Sequence, residues 1–230
     1  MGNLPVLAVF ASFCVGFGVY WKRKGRVKTN ETLMIGVCGH KVREPGAVDE
    51  ITMLRLIKVR KIFDHHFDDL KQKVFVTLTG NRGVGSIGLA MRQHMALNSV
   101  PEENLFTTRG VGTFQEGRTV FETARIMNAS KVIMVTSDWH ARAATPFWKY
   151  LSYRSGISLE VERVWTGPIS DRMQRDYASF KLMMQLVLIP AYLGIEFPLR
   201  LLERRVAVME ERRAALGQAY DPENWRKQLR

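Results

Sequence analysis

Short apolar, β-rich runs alternate with segments of helical spacing along most of this chain, and that alternation dictates a mostly parallel sheet covered by helices. The runs are "TLMIGVCG" (32–39), "KVFVTLTG" (73–80), "ENLFTT" (103–108), "KVIMVTS" (131–137) and "SLEVERVW" (158–165). Helices are expected between them at 48–67, 86–98 and 113–129, with another starting near Trp139 or His140. In the first, Ile51, Leu54, Ile57 or Val59, and Ile62 fall at helical spacing. From Tyr177 onward the chain reads as helical and arginine-rich, ending in a polar tail, "DPENWRKQLR".

Ahead of the first run stands "LPVLAVFASFCVGFGVYW" (4–21), which carries no charge. At about 1.5 Å per residue, a helix of this length just crosses a hydrocarbon core of about 30 Å. "MGN" precedes it and "KRKGRVK" (22–28) follows, the reverse of a cleavable leader, so an uncleaved transmembrane anchor is expected. The basic flank places the bulk of the chain on the cytoplasmic or mitochondrial matrix side, with Tyr20 and Trp21 at the interface. Ala8, Ala11, Ser12, Gly16 and Gly18 offer small surfaces on which another membrane helix can pack. A second apolar stretch, "LMMQLVLIPAYLGIEFPL" (182–199), is interrupted by Gln185, Pro190, Glu196 and Pro198. Two prolines and an acid argue against a span, and a kinked helix that packs on the domain or rests in the membrane interface is expected.

The net charge of +12, from 34 Lys and Arg against 22 Asp and Glu, calls for an anionic partner such as a lipid surface, or reflects a basic compartment such as mitochondria. The basic residues are scattered with no recognised nucleic-acid motif, so nucleic acid is not expected as a partner. Cys14 and Cys38 are the two cysteines and sit in neither metal nor redox spacing, so no disulfide framework or zinc site is expected. His65 and His66 lie beside Asp64, Asp68 and Asp69, and His65 would share a helical face with Asp69. Nothing completes a coordination shell there, so this reads as a solvated helix end and no metal is assigned.

Ligands of open α/β sheets bind beyond the carboxyl ends of the strands. Three turns put polar residues at that edge: "GHKVREPG" (39–46), "TGNRGVGS" (79–86) and "TSDWHAR" (136–142). The second, with Gly80, Asn81 and Ser86, has the glycines to curl around an anion and a serine to cap the next helix, but matches neither a Walker loop nor the dinucleotide fingerprint. The third carries Thr136, Ser137, Asp138, His140 and Arg142. Adjacent residues on one turn point apart, so a Ser-His-Asp hydrolase is disfavoured. Ligand binding is preferred, with Ser137 or Asp138 capping the helix and His140 and Arg142 donating to an anion. A helix cap with one satisfied histidine is the alternative.

"VTSDWHARAA", preceded by "VPEENLFTT" and "GTFQEGRTVFETARIM", resembles the SanA/ElyC/YdcF family of envelope-associated proteins over about residues 33–164. Thr136, Ser137, His140, Arg142 and Ala143 match its last motif, Thr113 and Glu116 its middle one, and Gly80 its glycine turn. The resemblance implies a Rossmann-like sheet, a short membrane anchor, and a cleft lined by these residues. It also implies a nucleotide-like ligand such as S-adenosylmethionine and a role in envelope biogenesis; no cofactor follows from the residues themselves. Where the family has an acid after the glycine turn this chain has Ile87 and Gly88, and Gly112 and Gly117 replace asparagines flanking the middle motif. Loss of the acid would disable chemistry while leaving the fold intact.

The expected architecture is thus α/β, a Rossmann-like, mostly parallel sheet flanked by helices, with an N-terminal transmembrane helix and a helical C-terminal extension. Its divisions are an anchor with basic flank (1–28), the α/β domain (29–170) and the extension (171–230). Two functions of different class follow. The favoured one is a non-catalytic accessory subunit of an inner-membrane complex, plausible for mitochondria, meeting other subunits through the N-terminal helix and the C-terminal extension. The other is a membrane-anchored small-ligand binding protein or enzyme. It requires Thr113, Glu116, Ser137, His140 and Arg142 to converge on one open pocket, and a closed cleft counts against it.

Overall fold

The structure, a computed structural model, describes residues 32–39, 42–44, 47–80, 87–109 and 112–215. The expected anchor (4–21), its basic flank (22–28), much of the first turn, Asn81 and Ser86 of the glycine turn, and the polar tail lie outside the described residues. Among the described residues no helix is long and apolar enough to cross a membrane.

Five parallel strands form the sheet: β1 (Leu33–Cys38), β4 (Val74–Gly80), β5 (Leu105–Arg109), β6 (Lys131–Ser137) and β7 (Ser158–Val164). Their spatial order is β5-β4-β1-β6-β7. A separate two-stranded antiparallel ribbon, β2 (Val42–Glu44) with β3 (Ala47–Val48), occupies part of what the sequence presents as a turn. The fold is therefore a Rossmann-like α/β sheet, as the alternation requires. β1 and β4 are buried at every residue, because helices cover both faces of the sheet and leave no side for a polar alternate. Edge strand β7 instead carries Glu160, Glu162 and Arg163 and is only half-buried, and its charges blunt an open edge. Lys131 reaches Glu160 at 2.5 Å, and Lys58 reaches Glu162 at 2.8 Å.

Helices α1 (Glu50–Asp64) and α2 (Ile87–Leu97) cover one face, packing Leu56, Val59, Phe63, Met91 and Met95 on Leu33, Ile35 and Val37. Helices α3 (Thr113–Ile126) and α4 (Asp138–Ser155) cover the other, setting Val120, Phe121, Phe147 and Trp148 on Met34, Cys38 and Met134. The two sets of β1 residues alternate along the strand, as its period of two demands. In α1 the buried face is Thr52, Arg55, Leu56, Val59 and Phe63, whereas Ile57 is exposed. The apolar spacing in the sequence marked the helix but not the side that turns inward. After α1 the chain widens into a π-turn, His65–Asp69, where exposed His65 meets Asp69 at 3.1 Å.

Helix α5 (Asp171–Tyr192) lies on the outside of α4, and α6 (Phe197–Ala215) follows it. Met184, Leu188, Ala191 and Leu199 are buried in the same core as Phe147, Trp148 and Tyr150. The single kinked helix expected over 182–199 is replaced by two helices and an elbow. Pro190 sits inside the last turn of α5, and Gly194 takes a φ of 89°, which ends the helix in a left-handed cap. The amides of Leu193 and Ile195 both reach the Pro190 carbonyl across this cap. Pro198 then stands in the first turn of α6, where its missing N–H costs nothing.

Candidate functional site

Counting only the five parallel strands, the order is 3-2-1-4-5, so the winding direction reverses between β1 and β6. The crevice beyond their carboxyl ends is the place where such sheets bind ligands. β1 ends there at Cys38 and β6 at Ser137, and the residues around them come from three helices, α1, α3 and α4.

Arg55 fills this crevice. It projects from the buried face of α1, whose first turn is capped by Asp49 accepting from the Thr52 amide at 3.0 Å, and it is 1% exposed. Its Nη1 donates to the Cys38 carbonyl at 2.5 Å, while Nε and Nη2 both donate to Ser137 Oγ, at 3.2 and 2.8 Å. Trp139 lies 5.9 Å from the guanidinium and closes one side. Burial pulls the Arg55 pKa down, and the thiol of Cys38 and the carboxylate of Glu116 oppose that shift. Burial likewise pushes the Cys38 thiol well up, with the Glu116 charge adding to the effect, and the thiol donates a hydrogen bond to Glu116.

Ser137 stands at the N-cap position of α4, but its hydroxyl makes no bond to the helix backbone. The expected serine cap is corrected: a buried guanidinium outcompetes a neutral amide for the same oxygen, since a charge-assisted bond is about twice as strong. His140, one turn into α4, is held from both sides. Its Nδ1 lies 2.8 Å from Thr136 Oγ1 and its Nε2 3.1 Å from Thr113 Oγ1. A neutral imidazole has one donor and one acceptor nitrogen, and the two hydroxyls match either tautomer. Trp148 packs edge-on against the ring at 5.9 Å.

Of the five residues required to converge on one open pocket, Thr113, at the start of α3, and His140 are in direct contact; the Ser137 hydroxyl is bonded to Arg55 instead, and the buried Glu116, one turn after Thr113, lies within electrostatic reach of Cys38 and Arg55. Thr136, also expected at the site, is fully buried and meets the other nitrogen of His140. Arg142 does not join them; it is exposed on α4, two residues beyond His140 and hence about 200° away around the helix. The expected pairing of His140 and Arg142 on one anion is corrected on that ground. Gly80 ends β4, where the start of α2 comes so close that a Cβ would strike Ile87. Gly117 serves packing: a Cβ there would lie 2.8 Å from Trp148 Cδ1 and 2.9 Å from its Nε1.

Ser137, Asp138 and His140 do not assemble a hydrolytic triad. Ser137 Oγ lies against Arg55, and both nitrogens of His140 lie against threonines. Among the described residues no group of three His, Cys, Asp or Glu is placed to hold a metal. The sequence reading missed Arg55, although its signal is present. In "MLRLIKVRKIF" it occupies the same stripe as Thr52, Val59 and Phe63, at offsets of 3, 4 and 8 residues. A separate cavity of about 180 Å³ opens between α3 and α6, lined by Phe114, Arg118, Glu203 and Val206. Arg118 and Glu203 bridge it at 2.7 Å.

Fold and site define an α/β protein with a Rossmann-like sheet and an internally bonded switch point. Comparison with protein-family models, with curated proteins and with solved structures finds no match to the chain.

Proposed function

We propose that this protein is a membrane-anchored, non-catalytic accessory subunit of an inner-membrane complex, built on a domain of the SanA/ElyC/YdcF type whose ligand crevice is now structural. One observation carries the reading: the Arg55 guanidinium, buried at the switch point, spends its bonds on Ser137 and on the Cys38 carbonyl. A side chain so placed substitutes for a ligand. The charge-free stretch 4–21 supplies the anchor, and the basic composition suits a mitochondrial inner membrane.

The test is native purification in mild detergent, with mass spectrometry of whatever co-migrates. Stoichiometric co-migration with a membrane complex is expected. A protein that migrates alone and binds S-adenosylmethionine, with binding lost in His140→Ala, overturns the proposal. That outcome would establish the second reading, a small-ligand binding protein of envelope biogenesis. The contacts of His140 with Thr113 and Thr136 at the carboxyl edge favour that reading.

A further inference from the structure

The C-terminal half of helix α5 is apolar on two opposite sides. Met184, Leu188 and Ala191 face the core, yet Leu186 and Ile189 on the other side are exposed. A helix apolar all round is normally buried. The exposure continues through the elbow, where Leu193, Ile195 and Phe197 are 67%, 58% and 73% exposed, and into α6 at Leu201. A contiguous apolar surface of this kind marks a contact with something outside the domain.

Its place in the fold says what that is. Leu33, Lys131 and Ser158 are in register and mark the amino edge of the sheet. Helix α4 returns to this edge, since Ser155 precedes Ser158 by three residues. The elbow is fixed there: Glu196 accepts from Tyr150 Oη at 2.8 Å and pairs with Arg154 at 3.2 Å and Arg200 at 2.9 Å, and Tyr192 packs on Tyr150 and Tyr153. β1 starts at the same edge. Residues 22–32 alone separate it from the expected anchor, a reach of at most about 40 Å. On the anchored reading, the amino edge, and with it the apolar elbow, is the part of the domain tethered to the bilayer within that reach. The charge there suits anionic lipid. Glu196 is outnumbered by its two arginines, Arg204 and Arg205 are exposed two turns into α6, and the tether is "KRKGRVK".

We infer that the elbow of α5 and α6 is a second membrane contact, in which Ile189, Leu193, Ile195 and Phe197 enter the interface of an anionic lipid surface at the amino edge of the sheet. The domain then stands on the bilayer on two feet, with the crevice around Arg55 pointing away from it. The inference rests on the anchored reading above.

Full-length protein in vesicles of phosphatidylcholine with about one-third phosphatidylglycerol, doped with a lipid carrying an acyl-chain diazirine, tests it. After irradiation, trypsin releases the elbow as one peptide, residues 182–200, and the anchor as residues 1–22. Lipid adducts are expected on both. In Leu193→Ser/Phe197→Ser, two exposed positions whose exchange leaves the core intact, adducts on 182–200 should fall about tenfold while those on 1–22 persist and near-ultraviolet circular dichroism is unchanged. Adducts on the anchor alone overturn the inference and leave the anchored reading standing, with the elbow covered by protein. Adducts on neither peptide overturn both.

Discussion

Replacing Arg55 by methionine is the sharpest test of whether the crevice is a structural plug. Methionine keeps the length of the side chain and its apolar stem but removes every donor. Ser137 Oγ and the Cys38 carbonyl, both fully buried, would lose their guanidinium bonds, at about 1–3 kcal/mol for each acceptor left unsatisfied. Glu116 would keep its buried carboxylate without the neighbouring positive charge, and breaking such an arrangement from one side costs about 3–5 kcal/mol. These costs overlap, so a loss of about 3–5 kcal/mol is expected, which is a large part of the 5–15 kcal/mol typical of a whole protein. In thermal unfolding followed by circular dichroism in detergent this corresponds to a fall of about 6–20 °C. Glu116→Gln in the same background removes the stranded charge, so the double variant should be more stable than the sum of the singles by about 1–3 kcal/mol. An Arg55→Met protein within about 1 kcal/mol of wild type, or strictly additive variants, would refute the idea that Arg55 holds the switch point closed.

Other outcomes follow from the same geometry. His140→Ala removes the ring bridging Thr113 and Thr136 and should lower stability by about 1–3 kcal/mol in the same melt, while co-purification with partner subunits is retained. Gly117→Ala forces a methyl against Trp148; overpacking of about 1–3 kcal/mol, less about 1 kcal/mol of helix propensity, leaves a net destabilisation of up to about 2 kcal/mol, read by urea titration, and an unchanged midpoint would mean the indole has room to move. The hydrogen bond from Tyr150 and the contact with Arg200 hold the Glu196 carboxyl below its usual range. Its stabilisation is therefore complete above the unfolded carboxylate pKa of about 4.3 and fades as pH falls through the lower folded value, so the gap between wild type and Glu196→Gln should be full at neutral pH and vanish in acid.

The strands were legible because burial on both faces writes continuous apolar runs. β6 coincides with the run read from the sequence, and β1, β4 and β7 differ from theirs by a residue or two. The site was legible where a motif places residues on one turn, as for Thr136, Ser137 and His140. It was not legible where contact is long-range: Arg55 and Ser137 are 82 residues apart, and an arginine between leucines reads locally as an outward charge. Arg142 fell the other way, since motif membership says nothing about which side of a helix a residue occupies. The elbow escaped because proline signals an interruption without saying whether the helix bends or stops. Gly194, whose left-handed conformation decides the matter, is the residue that announced a stop.

The central position of β1 also orders events in time. The chain through β5 can lay three adjacent strands, with α1 and α2 on one face, before β6 joins the open side of β1. The seam between these halves is the gap that Arg55 crosses from α1 to Ser137. Contacts made last in assembly are absent from the folding barrier, so their loss speeds unfolding far more than it slows folding. If β6 docks after the folding barrier, Arg55 acts as a latch that governs how long the folded protein lasts, with little influence on how fast it forms.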